Sequence, residues 1–432
     1  MIPSDWRFWS PSGALFPGGP YTWHIIDWDQ RRWISVTGSE EALPDDEDAI
    51  NILSKHIEHL DSDVFEIKVS DDGELFSTSS KLKDDATWAI HYPRYDVSST
   101  PSMEKNTLTR SLLEEVDRLG PEVDLVRYTD ESGISKLVVF KYAMIEQHLR
   151  RMWKELHIIK NLPQHPFIVP FHRIVLDDIE PRILGFTISY VPGGTFADNQ
   201  TRPFRFKWLQ QLTSVVDDLN LKFNITHQDI SPRNLLVDPV TENIQLFDFD
   251  RAAKIGSQGE DRRRNDVDGV IFTIYEILTL DDHFRTIPFD QQDVKNVEEI
   301  ETWDVKAPVE EGTEGVEAFR KFLREWAQGR RTKPLKLFSE ASSPLDWPDY
   351  PPDTPIRYVS YPDSDNEDGA EPITFPGGAR TRTDARRNGQ HVVCWERPPS
   401  TSKFEIETAR NGKRAFNNVD ISNDREKRSK AS

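Results

Sequence analysis

Short alternating runs of apolar and polar residues dominate the first part of the chain, and apolar residues at helical spacing dominate the later part. "YTWHIIDWDQRRWISVTG", Tyr21 to Gly38, predicts strand, turn, strand, and "KHIEHLDSDVFEIKVSDDGELFSTS", Lys55 to Ser79, predicts a hairpin about Asp71, Asp72 and Gly73. Trp6, Trp9, Trp23, Trp28 and Trp33 crowd this opening, where large aromatics predict the packing of a small β module rather than chemistry. "DVSSTPSMEKNT", Asp96 to Thr107, interrupts the pattern with Ser, Thr and Pro and predicts a boundary. Beyond it "LLEEVDRLG", "VDLVRY" and "KLVVFKYA" (Lys136 to Ala143) predict strands, and "EQHLRRMWKELHIIKNL" predicts a helix. The strand "ILGFTISYV" (Ile183 to Val191) runs into the breaker Pro192 to Gly194.

From there the period is helical. Trp208, Leu212, Val215, Val216 and Leu219 share one face, "DVDGVIFTIYEILTL" (Asp266 to Leu280) is apolar nearly all round as a buried helix is, and Val316, Phe319, Phe322, Leu323 and Trp326 make another stripe. The fold class expected is α+β, a strand-rich lobe with one helix followed by a mostly helical lobe. After about Pro344 come an acidic "DSDNEDGAE" and an Arg/Lys-rich end with few large apolar residues, which predicts a disordered, solvated tail.

Composition narrows the partners. The formal charge is −20, with acidic clusters such as "SEEALPDDED" (Ser39 to Asp48), so the surface repels nucleic-acid phosphate. The single cysteine, Cys394, excludes an intramolecular disulfide and fits a reducing interior. The start "MIPSDWRFWSPSG" lacks a basic stretch leading an apolar core, and no run of about 18 apolar residues occurs. Neither a signal peptide nor a membrane span is expected, an intracellular location, cytoplasmic or nuclear, is, and no oligomeric state is assigned.

Isolated polar residues stand at element ends in a telling order: Lys141 ends a strand, Glu155 lies on the next helix, Asp229 and Asn234 fall in "THQDISPRNLLVD", and Asp248 follows "IQLF". Taken singly, the lysine reads as a solvated edge residue, the aspartates as turn or cap residues and the asparagine as a turn residue. Together they resemble the parts of the eukaryotic protein-kinase-like superfamily over Asn106 to Leu345. "LVVFK" resembles the lysine motif of the third strand, "HQDISPRN" the catalytic loop with its Asp-x-x-x-x-Asn spacing, and "FDFD" the metal-binding Asp-Phe-Gly. "HPFIVPFHRIVL", "SYVPGG" and "DVDGVIFTIYEILT" resemble the strand after the regulatory helix, the hinge and the buried large-lobe helix.

The resemblance implies a bilobal fold and an ATP- and Mg2+-dependent phosphotransferase acting on a hydroxyl. It assigns Lys141 to the α- and β-phosphates with Glu155 orienting it, Asn234 and Asp248 to Mg2+, and Asp229 to the acceptor hydroxyl. Gly120 falls to the phosphate-covering loop, Ser189, Tyr190 and Val191 to adenine at the hinge, and Arg233 to the transferring phosphate. His227 is implied to be structural.

Four departures qualify the type of kinase. "LGPEVDLVRY" keeps only Gly120 of a Gly-x-Gly-x-x-Gly pattern, Gln228 stands where many kinases carry the arginine that receives an activating phosphate, and Asp250 replaces glycine. Only 15 residues separate Asp250 from Asp266, with no Ala-Pro-Glu motif. That brevity is similar to small-molecule phosphotransferases of the aminoglycoside and choline type and to compact atypical protein kinases. The run Arg262 to Arg264 reads as solvated. The expected layout is a Trp-rich extension over 1–105, a kinase-like domain over 106–345 (small lobe 106–188, hinge 189–194, large lobe 195–345) and a tail over 346–432. The expected function is a protein kinase acting on Ser/Thr, the rivals being a small-molecule kinase and a non-catalytic scaffold.

Overall fold

The computed structural model describes residues 2–95, 106–310, 315–351 and 381–397. The boundary expected near 105, the acidic run and the basic end of the tail lie outside these residues. The chain divides into two compact units: Met1–Ile90, Asp117–Val123 and Pro355–Ser432 form one, His91–Val116 and Asp124–Thr354 the other.

In the first unit a one-turn helix α1 (Ser4–Arg7) precedes a five-stranded sheet of order β1-β2-β3-β4-β5: β1 (Phe8–Leu15), β2 (Tyr21–Asp27), β3 (Arg32–Gly38), β4 (Glu66–Val69) and β5 (Leu75–Ser79). Between β3 and β4 lies α2 (Asp46–His56). Sequence patterning did not reveal α2, because its acidic start hides the signal, and the stretch expected as a hairpin from Lys55 begins instead with the end of α2 and a 3-10 turn, Ile57–His59, the hairpin itself being β4 and β5. Those acids are the first helical turn, where the helix dipole favours them, and the Asp45 carboxylate accepts from the Asp48 N–H at 2.9 Å as the N-cap. Ala49, Ile52 and Leu53 of α2 pack on Ile25, Ile34, Val36 and Ile67 of the sheet. The tryptophans serve packing: Trp28 and Trp33 are buried, Trp9 stacks on Trp28 at 6.2 Å, and Trp23 Nε1 donates to the Leu43 carbonyl.

A six-stranded sheet of order β6-β10-β11-β9-β8-β7 follows, from β6 (Thr107–Thr109), β7 (Glu114–Gly120), β8 (Val123–Thr129), β9 (Ser135–Tyr142), β10 (Phe171–Leu176) and β11 (Ile183–Ser189). α3 (Glu146–Asn161) joins β9 to β10 and buries Leu149, Met152, Leu156 and Ile159. Strands at β7, β8, β9 and β11 and the helix α3 match the periods read from sequence. The Pro-Gly-Gly breaker then turns the chain. Gly194 has φ +67°, and a Cβ on Gly193 would sit 1.7 Å from the Val237 carbonyl oxygen, so neither position takes a larger residue without displacing backbone.

The helical part comprises α4 (Phe206–Asp217), continued by a π turn over Asp218–Lys222, then α5 (Asp266–Thr279), the short α6 (His283–Thr286) and α7 (Lys295–Glu298), and α8 (Val316–Arg331). Between α4 and α5 lie the two-stranded pairs β12 (Ile225–Thr226) with β15 (Ala253–Lys254), and β13 (Leu235–Val237) with β14 (Ile244–Leu246). α5 buries nearly its whole surface, as its unbroken apolar sequence requires.

Two stretches expected in the solvated tail are ordered. Residues 346–351 pack within the second unit, and 381–397 carry α9 (Arg382–Arg387), capped by Thr381, with Trp395 buried and Arg382 paired with the buried Asp85. Average composition hid these anchors, since two tryptophans and one arginine suffice to offset the ordering of short segments. Among the described residues no helix is long and apolar enough to cross a membrane.

Candidate active site

Lys141 lies in β9 opposite Phe186 of β11. The next pair on β11 is Gly185, where a Cβ would stand 2.1 Å from the Lys141 carbonyl oxygen, so this glycine lets the two strands close beside the lysine. Glu155 falls on the same stripe of α3 as Leu149, Met152 and Ile159, which buries a carboxylate among apolar side chains. Burial of that kind demands a partner. The Lys141 ammonium supplies it, donating to Glu155 Oε1 at 2.6 Å and to Asp248 Oδ1 at 2.7 Å, and the Phe249 N–H donates to the same Glu155 oxygen at 3.1 Å. Asp248 reaches the lysine with left-handed backbone, φ +68°, while Asp250 falls in the 3-10 turn Phe249–Arg251 without a positive φ. An aspartate in place of glycine at 250 therefore costs nothing in backbone conformation.

One ammonium serves two carboxylates here, with Asp250 close by. Burial draws the Lys141 pKa down, but Asp248 and Glu155 together hold it above its ordinary value. Burial also pushes Glu155 up, to about 7, helped by repulsion from Asp248 and opposed by Lys141. Asp248 moves the other way, because Lys141 outweighs its burial. The opposite directions of the two acids follow from exposure: Asp248 is 31% exposed and Glu155 3%, so Glu155 bears the desolvation cost of the excess negative charge. A carboxyl whose folded pKa exceeds its unfolded value stabilises the fold below the unfolded pKa and loses that contribution as pH rises through the folded one. Stability should thus fall between pH 4.5 and about 7, and Glu155→Gln should flatten that slope in thermal melts across the window.

The loop "THQDISPRN" is tied down from below. The carboxylate of Asp266, at the start of α5, accepts the N–H groups of His227 and Gln228, each at 2.8 Å, which holds Gln228 at φ +63°. His227 is fully buried, donates from Nε2 to the Phe247 carbonyl at 3.0 Å and packs 4.7 Å from the Phe249 ring. Thr273 Oγ1 and the Arg285 guanidinium both donate to the Ile230 carbonyl at 3.0 Å. On this footing the Asp229 carboxylate, 10% exposed, accepts from Arg233 at 3.0 Å and from Asn234 Nδ2 at 3.0 Å. Because Asn234 Nδ2 also donates to the Asp229 carbonyl, its amide oxygen is left as an acceptor that no donor fills among the described residues.

Gln228 shows what replaces the expected arginine. Its Nε2 donates to the carbonyls of Arg251 (2.7 Å) and Gly259 (3.1 Å), and its Oε1 accepts the Asp261 N–H (2.5 Å). A neutral amide thereby fastens the short 251–261 segment to the loop with no charged modification. Arg251 and Arg233 both face Asp229, Arg251 at 3.9 Å. Of the run Arg262–Arg264, Arg263 pairs with Asp261 at 3.0 Å. Gln228→Glu would turn two donor contacts into carboxylate facing carbonyl. We expect faster proteolysis within 251–261 and a loss of about 1–3 kcal/mol, the cost of buried partners left unpaired, measured by limited digestion and melting.

Where the hinge is expected, the Ser189 N–H is taken by the Pro170 carbonyl at 3.0 Å, whereas the Val191 N–H has no backbone partner among the described residues. Tyr190 follows Ser189 at the end of β11. Gly120 ends β7 and belongs to the first compact unit, apart from the unit that holds the other site residues. The turn Pro121–Glu122 puts Glu122 at φ +59°.

Three oxygens beside these contacts have no donor among the described residues: Asp248 Oδ2, the Asn234 amide oxygen and Asp250 Oδ1, which is buried. Among the described residues no group of three or more His, Cys, Asp or Glu side chains could hold a metal by itself. A hard divalent cation would fit these oxygens only with ligands from a bound phosphate, the manner in which Mg2+ is usually held. Sequence reasoning missed Arg285 and Arg251, which no motif marks, and the contacts of 338–351. Residues 127–306 match the family model for the protein kinase domain. No curated protein matches the chain.

Proposed function

We propose that this protein, whose residues 127–306 match the family model for the protein kinase domain, transfers the γ-phosphoryl group of ATP, with Mg2+, to a hydroxyl, Ser or Thr of a protein in the first instance. The observation that carries the proposal is the assembled triad: Lys141 within 2.7 Å of both Glu155 and Asp248. In this reading Lys141 holds the α- and β-phosphates and Glu155 keeps the ammonium in place. The Val191 N–H and the Ser189 carbonyl take the adenine edge. Asp248 and the Asn234 amide oxygen would hold Mg2+, which supplies neutralisation of phosphate charge. The Lys141 ammonium pairs with two carboxylates, Glu155 and Asp248, and that local excess of negative charge supports the assignment.

Asp229 orients the acceptor hydroxyl and takes its proton as the oxygen-to-phosphorus bond forms and the β–γ bridging bond breaks, leaving ADP. Arg233, paired with Asp229 but 65% exposed, is placed to meet the transferring phosphoryl group. Gln228 supports a site that needs no activating phosphate.

Thermal melts with and without ATP and Mg2+ test the reading first. A ligand at 100 times its Kd adds about 2.7 kcal/mol, so no shift at millimolar nucleotide would count against any enzyme and favour a scaffold. Transfer from labelled ATP to Ser/Thr peptide pools, run beside a panel of amino-alcohols, then separates a protein kinase from a small-molecule kinase.

A further inference from the structure

Beyond α8 the chain folds back across the outer face of α3, the helix that carries Glu155. Asn161 donates its amide to the Asp346 carbonyl, and Trp153 Nε1 donates to the Pro348 carbonyl at 3.3 Å. The rings of Trp153 and Tyr350 meet edge to face at 5.8 Å, and the Arg150 guanidinium lies 4.9 Å from the centre of the Tyr350 ring. Arg150, Trp153 and Asn161 form one stripe on the side of α3 away from its buried face. The same strap reaches the segment after Asp248. Lys254 of β15 donates to the Trp347 carbonyl at 2.9 Å and sits 5.3 Å from the rings of both Phe338 and Trp347.

We propose that residues 338–351 act as an internal brace that positions Glu155 on Lys141, with Trp347 and Tyr350 as its anchors. On its other faces α3 is held by the buried apolar stripe of Leu149, Met152, Leu156 and Ile159, by Glu146, whose carboxylate accepts the His91 N–H at 2.7 Å, and, towards the 248–251 turn, by Glu155 and the looser pair of Arg151 with Asp250 at 3.7 Å. Apolar packing on one face is non-directional and leaves a helix free to roll, and a roll of one side chain's width would separate Glu155 from the ammonium. The brace closes the opposite face. It also ties α3 to β15, which pairs with β12 directly ahead of the 227–234 loop, so helix, segment and loop share one clamp.

The chemistry of the strap suits this task. Its contacts to Asn161, Trp153 and Lys254 use backbone carbonyls, which demand an extended chain more than particular side chains. Pro344, Pro348 and Pro351 pre-set such a conformation and lower the entropy lost on docking. Gln228 fixes the other end of the segment without charge, and brace and amide latch together describe an enzyme assembled without an added phosphate.

The test compares the full-length protein with Trp347→Ala/Tyr350→Ala, the milder single variant Tyr350→Ala, and Tyr350→Phe, which keeps the ring and loses the bond to the His91 carbonyl. Hydrogen exchange of residues 146–161 should quicken by about tenfold or more in the alanine variants, with exchange in α5 unchanged. KM for ATP should rise about three- to tenfold and kcat fall, both recovering in Tyr350→Phe. Unchanged exchange in α3, a uniform quickening through α5, or a rise in activity would each overturn the brace, the last marking the strap as inhibitory. If the double variant does not fold, Tyr350→Ala carries the same comparison. The kinetic arm rests on the phosphotransferase reading and the exchange arm does not: a wild-type protein that ignores ATP defeats that reading alone, while quickened exchange confined to α3 would still establish the brace.

Discussion

Replacing Asp229 by asparagine should reduce phosphate transfer by about 10²–10⁴-fold while leaving nucleotide-induced stabilisation intact. The expectation rests on what the carboxylate does and does not support. It accepts from Arg233 and Asn234 only through side-chain contacts, and Asn234 keeps its second bond to the Asp229 backbone carbonyl. Arg233 is 65% exposed and is hydrated readily once released. Folding free energy should therefore change by no more than about 1 kcal/mol, the range of exposed ion pairs. The loop itself hangs from Asp266, Thr273 and Arg285, none of which touches the Asp229 side chain. An amide fills the same space and can still meet a hydroxyl, yet it cannot take the proton. The loss should appear in kcat, with KM for ATP moving by less than about threefold. Transfer unchanged in Asp229→Asn, measured with the acceptor that the wild-type protein uses best, would remove this residue from the chemistry.

Much of this site was legible in the sequence because its parts sit at the ends of strongly patterned elements. Lys141 closes an alternating strand, Glu155 interrupts an apolar helical stripe, and Asp248 ends a short apolar run. A charge on an apolar face is costly, so each such position announces a partner even before the partner is known. The support beneath the site was not legible. Gln228 reads as a lost arginine, and only the carbonyls of Arg251 and Gly259 and the N–H of Asp261 show that the amide does the arginine's fastening by other means. Backbone groups leave no mark in a sequence.

The same limit explains the strap. Composition assigned 346–351 to a solvated tail, since its prolines and aspartates outnumber its apolar residues, whereas the contacts that order it come from backbone carbonyls and from the rings of Trp347 and Tyr350. α2 was concealed differently: an acidic first turn looks like surface charge until the cap at Asp45 and the buried Ala49, Ile52 and Leu53 are seen together.

Lys141→Met should be the most disruptive single change for both stability and activity. Removing the ammonium leaves Glu155 and Asp248 facing one another, one of them almost without solvent. Breaking a buried pair costs about 3–5 kcal/mol when the remaining charge cannot escape. Here it can escape by protonation, because burial already lifts Glu155 to about 7 and loss of the lysine removes the main influence that lowers it. The folded state of the variant binds its proton more tightly than the unfolded state, so its deficit should grow as pH rises from 6 to 8. Neutralising the acid separates the two consequences. Lys141→Met/Glu155→Gln should regain most of the lost stability at pH 8, since the Phe249 N–H still finds an acceptor in the amide oxygen. It should regain no activity, because the phosphates still lack their cation, a loss of about 10²–10³-fold if it matches the removal of one preorganised donor. A double variant as unstable at pH 8 as the single one would show that Lys141 holds the fold by packing and not by charge.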